Sequence, residues 1–282
     1  MRFKGFSWIV LIMLFFASCS EQHVMEDAFT SQKLTEQKSM TVTPQDSVVS
    51  LFNQARWGDG SAYLKLADCY RDGFGVKKDL LGMFTMAGIA KRRGAIQTVE
   101  EYFCNLPDGN DFKSLAQLMY NHKFYDQEST DSVIQSLRDN STLEAQTFLG
   151  LVMMDQGDTL TAKNLINEAA NQDCSLAKLL LTIPNWKGVV RPDATKLAVI
   201  AEQIPLAYCI LGDSYYEPDE NGNTDKQLAV EYYMKAEVHA VLGRHGAERV
   251  LDYYSKGGNI QLTEDDVKRF ELIVQSKGVE TE

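Results

Sequence analysis

The sequence predicts an all-α fold, an α/α superhelical solenoid of helix-turn-helix repeats. Three observations predict it. Residues 62–94 read as two short helices about a glycine turn, the same spacing returns at Ala145 and at Ala207, and only six prolines occur in 282 residues. A hairpin of this size cannot bury its apolar face alone, so it needs copies stacked on it.

The first unit states the pattern most fully. Ala62, Leu66 and Tyr70 lie four residues apart, along one face of a first helix. Gly73-Phe74-Gly75-Val76 breaks the chain, because glycine permits backbone angles that other residues avoid. Asp79 follows as the cap of a second helix, its carboxylate close to free backbone amides. Met83, Met86 and Ala90 point from that helix toward the same core, and Gly94 ends it.

The copies keep this order. Ala62, Leu66, Ala67 and Tyr70 of the first unit correspond to Ala145, Leu149, Gly150 and Met153, and to Ala207, Leu211, Gly212 and Tyr215. Four, seven and eleven residues after the capping acid stand Met83, Met86 and Ala90 after Asp79. After Asp158 they are Ala162, Leu165 and Ala169, and after Asp225 they are Ala229, Tyr232 and Ala236. Small residues recur where two helices come close, and large ones where a gap must be filled.

Ala-x3-Leu-Ala-x2-Tyr-x2-Gly-x-Gly-Val-x2-Asp in the first unit resembles the Sel-one-like repeat, a relative of the tetratricopeptide repeat. The second unit keeps only Gly157 and Asp158 of the turn. The third replaces it with the seven residues 217–223. Half-units fill much of the rest, with Gly94-Ala95 and Gly246-Ala247 each read as opening a new first helix. The resemblance implies a superhelix that scaffolds protein complexes, and it brings no catalytic residue with it.

Taken in order, the chain begins with an export signal at residues 1–18. Arg2 and Lys4 precede an apolar run from Ser7 to Phe16, and Ala17-Ser18 stand before Cys19. The run is too short for a comfortable membrane span. Small residues before a cysteine resemble a bacterial lipobox, which makes Cys19 the lipidated N-terminus, with Phe16 departing from the usual leucine. Residues 19–42 are polar, without helical periodicity, and read as a flexible tether. The repeat solenoid is read over residues 43–278. Thr43-Pro44-Gln45-Asp46 opens it with a capping box and a proline in the first helical position, and the helix runs to about Trp57 as a lone second helix. Residues 106–111 read as a turn, 112–122 with 129–138 as a degenerate hairpin, 174–182 as a short helix, 186–192 as a loop and 193–203 as a further helix. Gly257-Gly258 ends the hairpin begun at Ala247. Thr263 and Asp266 form a last capping box, and Val267, Phe270 and Val274 on one side suit a terminal cap with a polar outer face.

Charge narrows the function classes. The chain holds 28 basic and 39 acidic residues; removing Arg2 and Lys4 with the signal leaves 26 against 39, a net of −13. That speaks against nucleic acid as a partner. Lys91-Arg92-Arg93, a tight basic run, fits the last turn of a helix, where cations complement the dipole.

Chemical motifs are sparse. Cys69, Cys104, Cys174 and Cys209 remain after Cys19. The pairs Cys69/Cys104 and Cys174/Cys209 are about one repeat apart, roughly 10 Å between stacked helices and beyond disulfide reach, so buried free thiols are expected. Asp219, Asn221, Asn223 and Asp225 alternate like the start of a calcium loop, but the glycine is misplaced at Gly222. An Asn-Gly turn followed by Asp225 as a helix cap explains all of them, so no metal and no cofactor is expected. Ser175-Leu176-Ala177-Lys178 matches Ser-x-x-Lys by letter without the companion motifs of that chemistry. No catalytic constellation emerges. The tyrosine doublets at 215–216, 232–233 and 253–254 are the densest unusual feature. Tyr215 and Tyr232 fall on repeat core positions. Tyr216, Tyr233 and Tyr253 are therefore the candidate partner-binding residues, as aromatic anchors on a concave face. The sequence points to a lipid-anchored bacterial envelope protein that binds a protein or peptide. An enzyme with a hidden site and a purely structural envelope component are the alternatives.

Overall fold

The computed structural model describes residues 43–107, 113, 115, 127–182, 194–219 and 221–275. The described residues form thirteen helices and no strand: α1 (Pro44–Arg56), α2 (Gly60–Asp72), α3 (Leu80–Arg92), α4 (Val99–Cys104), α5 (Gln127–Asp139), α6 (Leu143–Asp155), α7 (Thr159–Asn171), α8 (Ser175–Thr182), α9 (Ala194–Ala201), α10 (Leu206–Tyr216), α11 (Lys226–Val238), α12 (Arg244–Ser255) and α13 (Glu264–Gln275). The three predicted units are α2/α3, α6/α7 and α10/α11, each a closely packed pair. Cys19, the signal and the tether lie outside the described residues, as do Trp186 to Pro192 and Gly278.

Local chemistry sets the helix starts. Thr43 and Asp46 exchange the reciprocal bonds of a capping box, with Pro44 at the first helical position. Asp79 accepts from the amides of Leu81 and Gly82, Asp158 from Thr161, and Asp225 from Leu228. Thr263 and Asp266 repeat the box at α13. Gly73 ends α2 at φ 75°, a left-handed angle that costs glycine nothing. One expected start is displaced. Gly94 sits at φ 74° in a turn, and the next helix begins only at Val99, capped by Thr98. The side-chain oxygen of Thr98 supplies the cap that Gly94-Ala95 lacks. Gly246 and Ala247 lie inside α12, which starts at Arg244.

The repeat positions pack as the pattern requires. Leu66 and Leu211 are fully buried, Leu149 nearly so, and all the small residues of the eleventh position, Ala90, Ala169 and Ala236, have no exposure. Ten residues of α3 between Leu80 and Ala90 are buried, so this helix is enclosed on every side. It packs on α2, α4 and α8, and Phe84 meets Phe103 edge to face at 4.6 Å. Cys69 and Cys174 are buried thiols and Cys209 is half-buried, but Cys104 is exposed at the end of α4, against expectation. Its six-residue helix turns Val99, Tyr102 and Phe103 inward, which leaves Cys104 on the outer side.

The two ends of the array meet. α1 packs beside α11, and the Arg56 guanidinium donates to both Glu237 oxygens, at 2.9 and 2.7 Å across 181 positions. Arg269 of α13 donates to the same carboxylate at 2.9 Å, and its guanidinium lies over the Trp57 ring. The Tyr63 hydroxyl donates to the Ala240 carbonyl, and Arg93 to that of Leu272. α13 therefore does more than cap an open end. Its inner side, with Phe270 fully buried and Ile273 nearly so, packs on α12, while Arg269 reaches Glu237 of α11 and the Leu272 carbonyl accepts from Arg93 at the end of α3.

Candidate functional site

Where the first and third units face each other, the chain encloses a groove of about 240 Å³. Thr85, Ile89 and Arg92 of α3 line one wall; Leu206, Cys209 and Asp213 of α10 line the other. Val241, Leu242, Gly243, His245 and Gly246, with Tyr233, complete it. The lining is mainly aliphatic, with Arg92, Asp213 and His245 among its ionisable groups. The Cys209 thiol donates to the Val241 carbonyl at 3.5 Å, and burial pushes it up to about 12, so it stays a neutral thiol.

Tyr233 is placed by two glycines. A methyl group at Gly212 would lie 2.3 Å from its ring, and one at Gly246 would lie 3.0 Å away. The ring thus occupies a slot that only these glycines leave open. Its hydroxyl donates to Asp213 at 2.7 Å and accepts from Arg249 at 2.7 Å. Burial, reinforced by the Asp213 carboxylate, pushes the phenol well above its ordinary value. Tyr233 is 1% exposed, so the expectation that it stands free as a partner anchor is overturned. The register explains the error. Tyr233 stands eight residues after Asp225, as Ile166 does after Asp158, and Ile166 likewise fills the space over Gly150. The eighth position packs against the partner helix, leaving the seventh, Tyr232, only half-buried.

The other two candidates part company. Two cations lie over the Tyr216 ring, the Arg249 guanidinium 4.3 Å and the Lys226 ammonium 5.0 Å from its centre. Its hydroxyl donates weakly to Asp252 at 3.4 Å. Tyr216 and Tyr233 therefore meet on Arg249, which also pairs with Asp213 and Glu217. Tyr253 lies elsewhere, its ring against Gly258, where an added methyl would come within 2.4 Å of it. The acidic loop before α11 is engaged internally. Asp219 accepts from the amides of Asn221 and Asn223 at 2.9 and 2.7 Å, and Asp225 caps the helix. Lys178, of the Ser-x-x-Lys letters, is bound to Asp173 and to Gln203.

Sequence reasoning missed an aromatic row. Tyr215 stacks on Tyr232 at 5.8 Å, Tyr232 on Tyr208 at 6.2 Å, and Tyr208 on His239 at 6.2 Å. Phe52 of α1 meets the end of this row, edge-on to His239 at 6.3 Å. The signal was present as two seven-residue spacings, Tyr208/Tyr215 and Tyr232/His239, each about two helical turns. The Lys235 ammonium lies over both Tyr208 and Tyr232.

Antiparallel helix pairs stacked side by side define this chain as a helical-repeat protein of the α/α solenoid class. No known family profile matches it, and no curated protein does. Among solved structures it is similar to a protective antigen of uropathogenic Escherichia coli displaying an SLR fold, at 18% identity and a TM-score of 0.38. That similarity covers 83% of this chain and 57% of the antigen's chain.

Proposed function

We propose that this chain is a lipid-anchored envelope protein whose repeat array binds a segment of a protein partner in the groove between α3 and α10–α12. The groove itself carries the reading. It is about 240 Å³, mainly aliphatic, and bordered by a few polar groups, which suits an apolar side chain together with the adjoining peptide backbone. Membrane attachment rests on Ala17-Ser18-Cys19; among the described residues no helix is long and apolar enough to cross a membrane.

Gly243 offers a clean test. It borders the groove at φ −84°, and a methyl group there would meet nothing within 4 Å. Gly243→Leu therefore adds an apolar side chain at the edge of the groove without straining the backbone. Proteins captured by the wild-type chain from detergent-solubilised envelopes should be lost from Gly243→Leu, while a leucine at this helix N-cap lowers stability by no more than about 1 kcal/mol. An unchanged captured set would place docking elsewhere on the array. Cys19→Ser should release the chain from membranes or leave the precursor uncleaved, and mass spectrometry of an unmodified Cys19 in membrane-bound mature chain would defeat the anchor.

A further inference from the structure

Helix α1 sits in the array as a ligand sits in a site. It precedes the first repeat unit and packs chiefly on α2 and more lightly on α11, and only Val48 and Ala55 of its thirteen residues are buried, while Val49 is 59% exposed. Its contacts follow one stripe, at positions i, i+3, i+4, i+7 and i+8, with Leu51 half-buried against the core. Val48 packs against the Gly73–Gly75 turn, where a methyl at Gly75 would come within 2.7 Å of it. Phe52 meets His239 edge-on, Ala55 has no exposure, and Arg56 grips Glu237 with two bonds. That stripe is the pattern of an amphipathic helix laid in a groove.

The seat does not depend on α1. Without it, Glu237 keeps the Arg269 bond at 2.9 Å and His239 keeps its stack on Tyr208. Tyr63 still joins the first unit to the third through the Ala240 carbonyl. The link from α1 to α2 is short, and Gly58 within it adopts φ 90°, a backbone hinge other residues resist.

We propose that α1 is a displaceable latch over a helix-binding seat formed by the first and third units. The occupant that displaces it is an amphipathic helix of a partner protein with an aliphatic residue, an aromatic four later, a small residue three after that, and an arginine next. The arginine is dictated by Glu237, a buried carboxylate that a planar guanidinium matches with two bonds. The latch makes the seat conditional. A partner must outcompete a helix held nearby at millimolar effective concentration, so closed α1 weakens its apparent affinity by the fraction of time the seat is open. The seat is bounded by residues 237–240 and the groove begins at Val241, so either site can fail without the other.

The test uses the mature full-length chain and a fluorescein-labelled peptide of residues 43–57 as the probe. Phe52→Asp with Arg56→Glu disengages α1 and leaves the seat intact. Anisotropy titrations should show the peptide binding this variant and binding the wild-type chain about 10–100-fold more weakly, the penalty for a seat open roughly 1–10% of the time. A peptide carrying Arg56→Ala should bind the variant at least about tenfold more weakly than the natural sequence. No binding to a folded variant, or equal binding to both chains, overturns the latch. Wild-type chains that exchange α1 and dimerise on size-exclusion chromatography with light scattering would make a second copy the occupant and overturn the assignment to a partner. If circular dichroism shows the variant unfolded, hydrogen exchange on the wild-type chain decides. α1 amides should then exchange by local opening while α2, α3 and α11 stay protected, and α1 exchange only with global unfolding overturns the proposal.

Discussion

Glu237→Gln is the sharpest test of whether the ends of the array are joined. The Glu237 side chain is 3% exposed and takes three charge-assisted bonds, two from Arg56 and one from Arg269. Glutamine keeps the shape but turns one oxygen into a donor, which then faces a guanidinium N–H. One bond is lost outright, at about 1.5–3 kcal/mol for a charged partner. The Arg56 guanidinium is also left without its counter-ion, while Arg269 keeps Asp266. Removing one member of a buried ion pair costs about 3–5 kcal/mol. The Arg56 side chain keeps 22% exposure and can partly rehydrate, so the lower end of that range, about 3 kcal/mol, is the expectation. With a urea slope of about 3 kcal/mol per molar, the midpoint should fall by roughly 1 M. Small-angle scattering should show a larger radius as α1 parts from α11. Lys256→Ala, at a surface pair with Asp252, is the control and should leave the midpoint where it is. A Glu237→Gln midpoint within 0.3 M (about 1 kcal/mol) of wild type would refute the closed arrangement.

Three further outcomes follow from the packing. Leu66→Ala removes a fully buried side chain at the centre of the first unit and should cost about 2–5 kcal/mol in urea melts; a loss below about half a kcal/mol would break the repeat register. Gly212→Ala sets a methyl against the Tyr233 ring, 2.3 Å away, and should destabilise by about 1–3 kcal/mol, with Tyr233→Leu relieving part of the loss. Asp79 caps α3 from a site where burial, outweighing its bonds to Leu81 and Gly82, pushes its carboxyl up to about 6 from 3.8. A raised folded value means that its stabilising share is complete only below about pH 3.8 and is lost as pH rises from there through about 6. Asp79→Asn keeps the cap and removes the charge. It should match wild type near pH 3 and exceed it by about 1–3 kcal/mol at pH 7.5, and parallel stability profiles for the two chains would contradict the assignment.

The sequence by itself determined what depends on neighbours within a few residues. Thr43 with Asp46, Asp79, Asp158, Asp225 and Thr263 with Asp266 mark helix starts because a side-chain oxygen and a free amide three positions on need nothing else. The Ala-x3-Leu spacing fixed which face of each first helix is buried, since that face repeats with the helical turn. Tertiary structure decided the rest. Tyr232 and Tyr233 differ by about 100° around α11, and only the slot between Gly212 and Gly246 selects Tyr233 for the interior. Where Gly94-Ala95 suggested a helix start, the cap at Thr98 prevailed. Arg56 and Glu237 are ordinary surface letters in the sequence, and nothing local joins them. Their meeting is set by the small rotation each stacked hairpin adds to the one before, summed along the array until its first and last members touch.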